Sequence, residues 1–182
     1  MRMPLNGGSA YAVLSGDFYY QCAPKAKECV IAEAVRDGLA FSLFDPLRGR
    51  GRSLVQTSPF HSNVHGWSLS ADGKKLSWVA KSNTSRIETL DIQTGAKSAI
   101  KLKGWQIETL SWAPDNAHFY VSGGVGLKST ISLVGLDGQI KDIVTSVPER
   151  PWPFMAKPSP DGRYLGFNLI SHDANVVMLE NF

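Results

Sequence analysis

The residues best equipped for chemistry in this 182-residue chain are scattered rather than gathered. His61 and His65 stand four apart in "PFHSNVHGW", the spacing at which two imidazoles on one helix face share a metal. Pro59, Asn63 and Gly66 argue instead for a loop entering a strand, and no third ligand is near. "SGGVGLKST", residues 122–130, has the glycines of a phosphate-binding loop, but that loop needs glycine directly before its lysine and a helix behind it. Here Leu127 separates Gly126 from Lys128 and a strand-like stretch follows, so the segment reads as a glycine-rich hairpin. "RGRGR", residues 48–52, has charge for phosphates but none of the interleaved aromatics on which nucleobases stack. It reads as a solvated loop between strands. No G-x-S-x-G nucleophile elbow occurs, and no carboxylates pair at a useful spacing. The expectation is a chain with no catalytic residue, no metal and no cofactor. Trp105 and Trp152, each just ahead of an inner strand, are the candidates for an aromatic binding face.

The bulk numbers point the same way. With 43% hydrophobic and 19% charged residues the chain has the make-up of one globular domain. A net charge of +3 demands no acidic partner, and nucleic acid is not expected. No apolar run approaches the ~20 residues that span a bilayer. "MRMPLNGGSAYAVL" interrupts, with Pro4, Asn6, Gly7 and Gly8, the apolar stretch a signal peptide needs.

What must position these residues is a repeat. "SLSADGKKLSWV", "LSWAPDNAHFYV" and "KPSPDGRYLGF" align on Asp72, Asp115 and Asp161, at a period in the low-to-middle forties. Four positions after each aspartate comes Leu76, Phe119 or Leu165, and six after comes Trp78, Val121 or Phe167. That alternation is a half-buried strand. Three before each stand Leu69, Trp112 and Pro158. One period upstream of Asp72, Lys25 takes the aspartate's place, with Cys22, Cys29 and Ile31 in the flanking columns: a degenerate fourth copy. Third strands follow in "LAFSLFDP", "SRIETLDIQTG", "STISLVGLDG" and "NVVMLENF", and fourth strands in "RSLVQTS", "KSAIKLK" and "IKDIVTS". Four antiparallel strands at this period make a β-propeller blade. The expected fold is all-β: about four blades, at 15–58, 64–103, 107–146 and 152–182. Either residues 9–14 supply a strand that closes a small ring, or the chain is an open segment of a larger one.

The turn residues have structural reasons to be there. An aspartate accepts from amides two residues on, and glycine takes positive φ without a Cβ penalty. Asp72-Gly73, Asp115-Asn116 and Asp161-Gly162 are therefore turn formers before they are anything else, with asparagine as the tolerated substitute. In the first copy Cys22 and Cys29 are symmetric about the turn and should face one another, at about 4.5–5.5 Å between Cα atoms. They form either a disulfide or a pair of small reduced core residues.

The motifs "SPDGRYLGF", "SADGKKLSWV", "SWAPDN" and "LDIQTG" resemble the TolB-like (WD-like) propeller repeats of bacteria. "CAPKAKECVIAE", "FDPLRGRG" and "NVVMLENF" resemble more particularly the carboxy-terminal propeller of bacterial serine/threonine kinases and winged-helix regulators. The resemblance covers nearly the whole chain, and it departs where the first turn lacks Asp-Gly. It implies a non-enzymatic protein-interaction or ligand-sensing lobe, C-terminal in a larger signalling protein. Such a lobe is extracytoplasmic if its kinase is membrane-anchored, and cytoplasmic otherwise. The alternative, from another class, is the propeller of a peptidase or lactonase-like enzyme.

Overall fold

The structure, a computed structural model, describes residues 6–36, 38–57, 66–80, 85–126, 128–146 and 152–170, without the side chains of 146, 152–154, 169 and 170. His61, His65, Leu127 and the expected strand at 175–182 lie outside the described residues. Among those described there is no helix. The first sheet holds β1 (Phe18–Cys22), β2 (Cys29–Val35), β3 (Gly38–Asp45) and β4 (Gly49–Gln56). The second holds β5 (Trp67–Leu69), β6 (Lys75–Val79), β7 (Arg86–Asp91) and β8 (Lys97–Lys101). The third holds β9 (Gln106–Trp112), β10 (His118–Val125), β11 (Lys128–Gly135) and β12 (Ile140–Ser146). β13 (Trp152–Pro158) and β14 (Leu165–Ile170) open a fourth. Each sheet is a simple antiparallel meander, with neighbours in the chain as neighbours in the sheet. Short tight turns allow nothing else.

The register repeats from sheet to sheet. Cys22 pairs with Cys29, Leu69 with Leu76, Trp112 with Phe119, and Pro158 with Leu165. In blades two and three these pairs sit on the face that the blade turns to the one before it. The core therefore lies in the seams. Val30, Ala32 and Phe41 of blade one pack with Trp67, Leu69, Leu76 and Trp78 of blade two. Val79 and Ile87 of blade two pack with Leu110, Trp112, Phe119 and Val121 of blade three. β13 in turn packs on β9 to β12.

Hydrogen bonds cross the seams at matching places. The side-chain amide of Gln21 donates to the Trp67 carbonyl (3.1 Å) and accepts from Leu69 N–H (3.1 Å). One seam on, Trp112 N–H donates to Ser68 Oγ at 3.0 Å. Leu69 and Trp112 occupy the same column, and so do Gln21 and Ser68. The innermost strand of a blade has no strand on its inner side, so a side chain from the preceding blade serves its amide. In blade four that column holds Pro158, which has no N–H to offer.

One segment differs from expectation. Residues 49–52 of "RGRGR" are not loop but the start of β4, with Asp45 opposite Gly49 and Phe44 opposite Arg50. The turn is tight enough to release them: Asp45 Oδ1 accepts from Leu47 N–H at 2.7 Å, and Gly49 sits at φ +93°. Arg50 pairs with Glu33, and Arg52 donates to the Ile92 carbonyl of blade two at 2.9 Å. Of the expected closing strand at 9–14, Val13 lies beside this turn: its carbonyl oxygen is 2.9 Å from where a Cβ on Gly49 would be.

Candidate functional site

The turn between the first two strands is built the same way in every blade. The residue two before the aspartate column donates its N–H across the hairpin: Ala23 to Glu28 O, Ser70 to Lys75 O, Ala113 to His118 O and Ser159 to Tyr164 O, all at 2.8–2.9 Å. The same residue's carbonyl accepts from the residue after the aspartate column. Those bonds are 3.0 Å for Gly73, 3.2 Å for Asn116 and 2.9 Å for Gly162. In blade one Ala26 makes it at 3.4 Å. Gly73 (φ +72°), Asn116 (φ +58°) and Gly162 (φ +73°) all take the left-handed conformation the turn requires.

The aspartates are spent on this geometry. Asp72 Oδ1 accepts from Ser70 Oγ (2.6 Å) and Lys74 N–H (3.1 Å), and Asp161 Oδ1 accepts from Ser159 Oγ (2.6 Å) and Arg163 N–H (3.2 Å). Asp115 Oδ1 accepts from Ala117 and His118 N–H, and its Oδ2 meets His118 Nδ1 at 2.7 Å. Partial burial pushes the Asp72 and Asp115 carboxyls up. The hydrogen bonds, with Lys74, Lys75 and His118 nearby, outweigh that and leave both below the usual carboxylate range. Asp161 is held low chiefly by Ser159 and Arg163. All three are firmly ionised acceptors near neutral pH, which suits structure and recognition rather than proton transfer.

The turns also touch one another. Lys25 N–H donates to the Ala71 carbonyl at 3.0 Å, Asp72 N–H to Asn116 Oδ1 at 3.1 Å, and Lys25 Nζ to the Pro114 carbonyl at 2.9 Å. A Cβ on Gly162 would lie 3.5 Å from Pro114 Cγ. One end of the stack is thus a mosaic of four turns. An open cleft of about 340 Å³ is lined there by Lys25, Pro114, Asp115, Tyr120, Asp161 and Gly162, from three different blades. Its chemistry is that of a binding surface: an ammonium group, a phenol, and carboxylates already paired with His118 and Arg163.

The remaining candidates disperse. Cys22 and Cys29 are joined by a disulfide, with Cα atoms 3.9 Å apart. Trp105 is only 9% exposed and belongs to the core of the second seam, with its edge on a cleft beside Lys128 and Asp142. It therefore offers little open aromatic surface. Trp152 opens β13, and its side chain lies outside the described residues. "SGGVGLKST" is the β10–β11 hairpin, in which the carbonyl oxygens of Gln106 and Lys128 crowd Gly123 and Gly124 too closely for any side chain. No group of three His, Cys, Asp or Glu able to hold a metal occurs among the described residues. Lys25 was invisible to sequence reasoning as a site residue, because its reach to Pro114 depends on how blades stack. Burial pushes the Glu108 carboxyl up, at an irregularity in the β9–β10 ladder.

Stacked four-stranded antiparallel sheets with their cores in the seams define a β-propeller segment. Solved structures agree on the fold. The chain is similar to a putative TolB from Agrobacterium tumefaciens (21% identity, TM-score 0.67), over 86% of this chain and 55% of that one. It is similar to TolB from Acinetobacter baumannii (18%, 0.66), over 91% and 41%, and to a prolyl endopeptidase (15%, 0.59), over 84% and 26%. The chain spans about half the length of the TolB structures. No family model matches it, and no curated protein does. At these identities the likeness establishes a TolB-like propeller fold and nothing further.

Proposed function

We propose that this chain is a binding or sensing module without catalytic activity of its own, and that its protein or small-molecule partner docks on the turn end of the stack. The observation that supports this is the cleft shared by Lys25, Asp115 and Asp161, a surface that exists only when the blades are stacked. The ionised, hydrogen-bonded state of its aspartates favours recognition over acid–base work. The resemblance to kinase and regulator propellers extends the proposal to the C-terminal lobe of a larger bacterial signalling protein. The disulfide supports a location in an oxidising compartment, outside the cytoplasm. A photo-crosslinking residue tests the docking site, placed at Tyr120 in the cleft or at Ile143 on an outer strand and used in cells. The expected result is one defined adduct from position 120, weakened by Lys25→Glu and absent from position 143. Equal labelling from both positions would remove the cleft from the account.

The match to a prolyl endopeptidase favours one second reading, the propeller of a peptidase or lactonase-like enzyme. Incubation with peptide, ester and lactone substrates, with and without added divalent metal, separates the two. Turnover that disappears on a single side-chain replacement would put the enzyme reading first.

A further inference from the structure

We propose that the Cys22–Cys29 disulfide is a redox-sensitive pin that holds the first turn against the second and third, and that a small thiol reductant releases it. Blade one lacks what holds the other turns together. In blades two to four an aspartate gathers the turn amides and a left-handed residue closes the hairpin. Blade one has Lys25 and Ala26 at those places. Lysine has no acceptor, Ala26 is not left-handed, and the closing bond to the Ala23 carbonyl stretches to 3.4 Å. The disulfide bridges the strand pair just below the turn, next to the Ala23–Glu28 hydrogen bond. A covalent staple stands where the other blades set a pair of unbonded side chains, directly below the one turn that lacks the aspartate bonds.

This weakest turn is also the one that reaches furthest. Its backbone bonds Ala71 of blade two, and the Lys25 ammonium bonds Pro114 of blade three. Packing joins them as well: a Cβ on Gly73 would lie 2.9 Å from Glu28 Cβ and 3.3 Å from Ala23 Cβ. Cys22 is exposed while Cys29 is buried, so an incoming thiolate meets the Cys22 sulfur first. It forms a mixed disulfide there and expels Cys29 as a thiolate, which takes up a proton. A second thiol then frees Cys22 and leaves as the oxidised reductant, and a disulfide such as glutathione disulfide reverses the sequence. With the staple open, the Ala23–Glu28 bond, the long Ala26 bond and the interblade contacts are left to restrain a turn that has no aspartate to gather its amides. Lys25 is then free to leave Pro114, and the wall of the cleft it forms goes with it.

Limited trypsin digestion of the full chain, with and without dithiothreitol, reads this directly, because Lys25 and Lys27 both lie within the turn that Ala23 and Glu28 close. Reduction is expected to speed cleavage after Lys27 by about tenfold while cleavage after Lys97 and Lys101 in β8 stays unchanged. The double variant Lys25→Asp, Ala26→Gly restores an Asp-Gly turn and should cut the reductant effect at Lys27 to under about twofold. Three results would each overturn the pin. One is an unchanged rate after Lys27 in the parent chain. Another is faster cleavage at Lys97 and Lys101 in step with Lys27, which would make the disulfide a global staple. The third is two freely alkylated thiols in untreated protein. The effect on the cleft rests on the docking proposal above; the digestion does not, so the two fail separately.

Discussion

Blades two and three carry the same columns as blade four and treat them differently. Leu76, Phe119, Trp78 and Val121 are at most 3% exposed, whereas Leu165 is half-buried and Phe167 is 38% exposed. The seam bond that joins Ser68 to Trp112 has no counterpart in the Pro158 column, which offers no N–H. An apolar column is thus a capacity rather than an outcome. The strand pattern presents the residue to one face, and the neighbouring blade decides how much water it loses. Stability should therefore concentrate in the seams between blades one, two and three and fade along β13 and β14.

Replacing matching residues sharpens the contrast. Phe119→Ala empties the middle of the second seam and should cost ~3–5 kcal/mol in urea unfolding, against ~1 kcal/mol for Phe167→Ala. Similar costs for the two would break the comparison. Ser68→Ala strands the Trp112 N–H in the core, for ~1–3 kcal/mol. Ser111→Ala, in the same column of the blade that precedes Pro158, should cost less than ~1 kcal/mol, because Pro158 has no N–H to lose a partner. Gly73→Ala combines a left-handed φ with a Cβ 2.9 Å from Glu28 Cβ and should cost ~2 kcal/mol; Gly162→Ala, with 3.5 Å of room, should cost ~1 kcal/mol. Both differences are measurable as midpoint shifts in the same titration.

The smallest effect is on pH. Asp72, Asp115 and Asp161 all titrate lower in the folded chain than the unfolded value of 3.8. Folding therefore favours their ionised forms. That contribution is complete above pH ~4 and is lost as the pH falls through the lower folded values. Asp72→Asn should flatten the acid limb of the stability profile while leaving the neutral plateau less high. An acid limb identical to that of the parent chain would mean the turn carboxylates carry no linkage.

Much of the fold was legible because its determinants are local. Turn chemistry at Asp72, Asp115 and Asp161 and the alternation after each are written within a dozen residues, and they set the register that pairs Cys22 with Cys29. The start of β4 was not legible. Its arginines and glycines have a loop's composition, and only the tight Asp45 turn and the contacts of Arg50 and Arg52 make it a strand. The site was less legible still. Lys25 joins the cleft through bonds to residues far along the chain, and Trp105 is drawn into a seam whose other wall is Leu102 and Val79. Such facts belong to the stacking of blades, which no single repeat encodes.

Amide hydrogen exchange resolved along the whole chain tests that stacking most directly. The account predicts the slowest exchange in β6, β9 and β10, whose faces line filled seams, and exchange in β14 faster by several orders of magnitude. Uniform protection across all the sheets, or slowest exchange in β14, would contradict it.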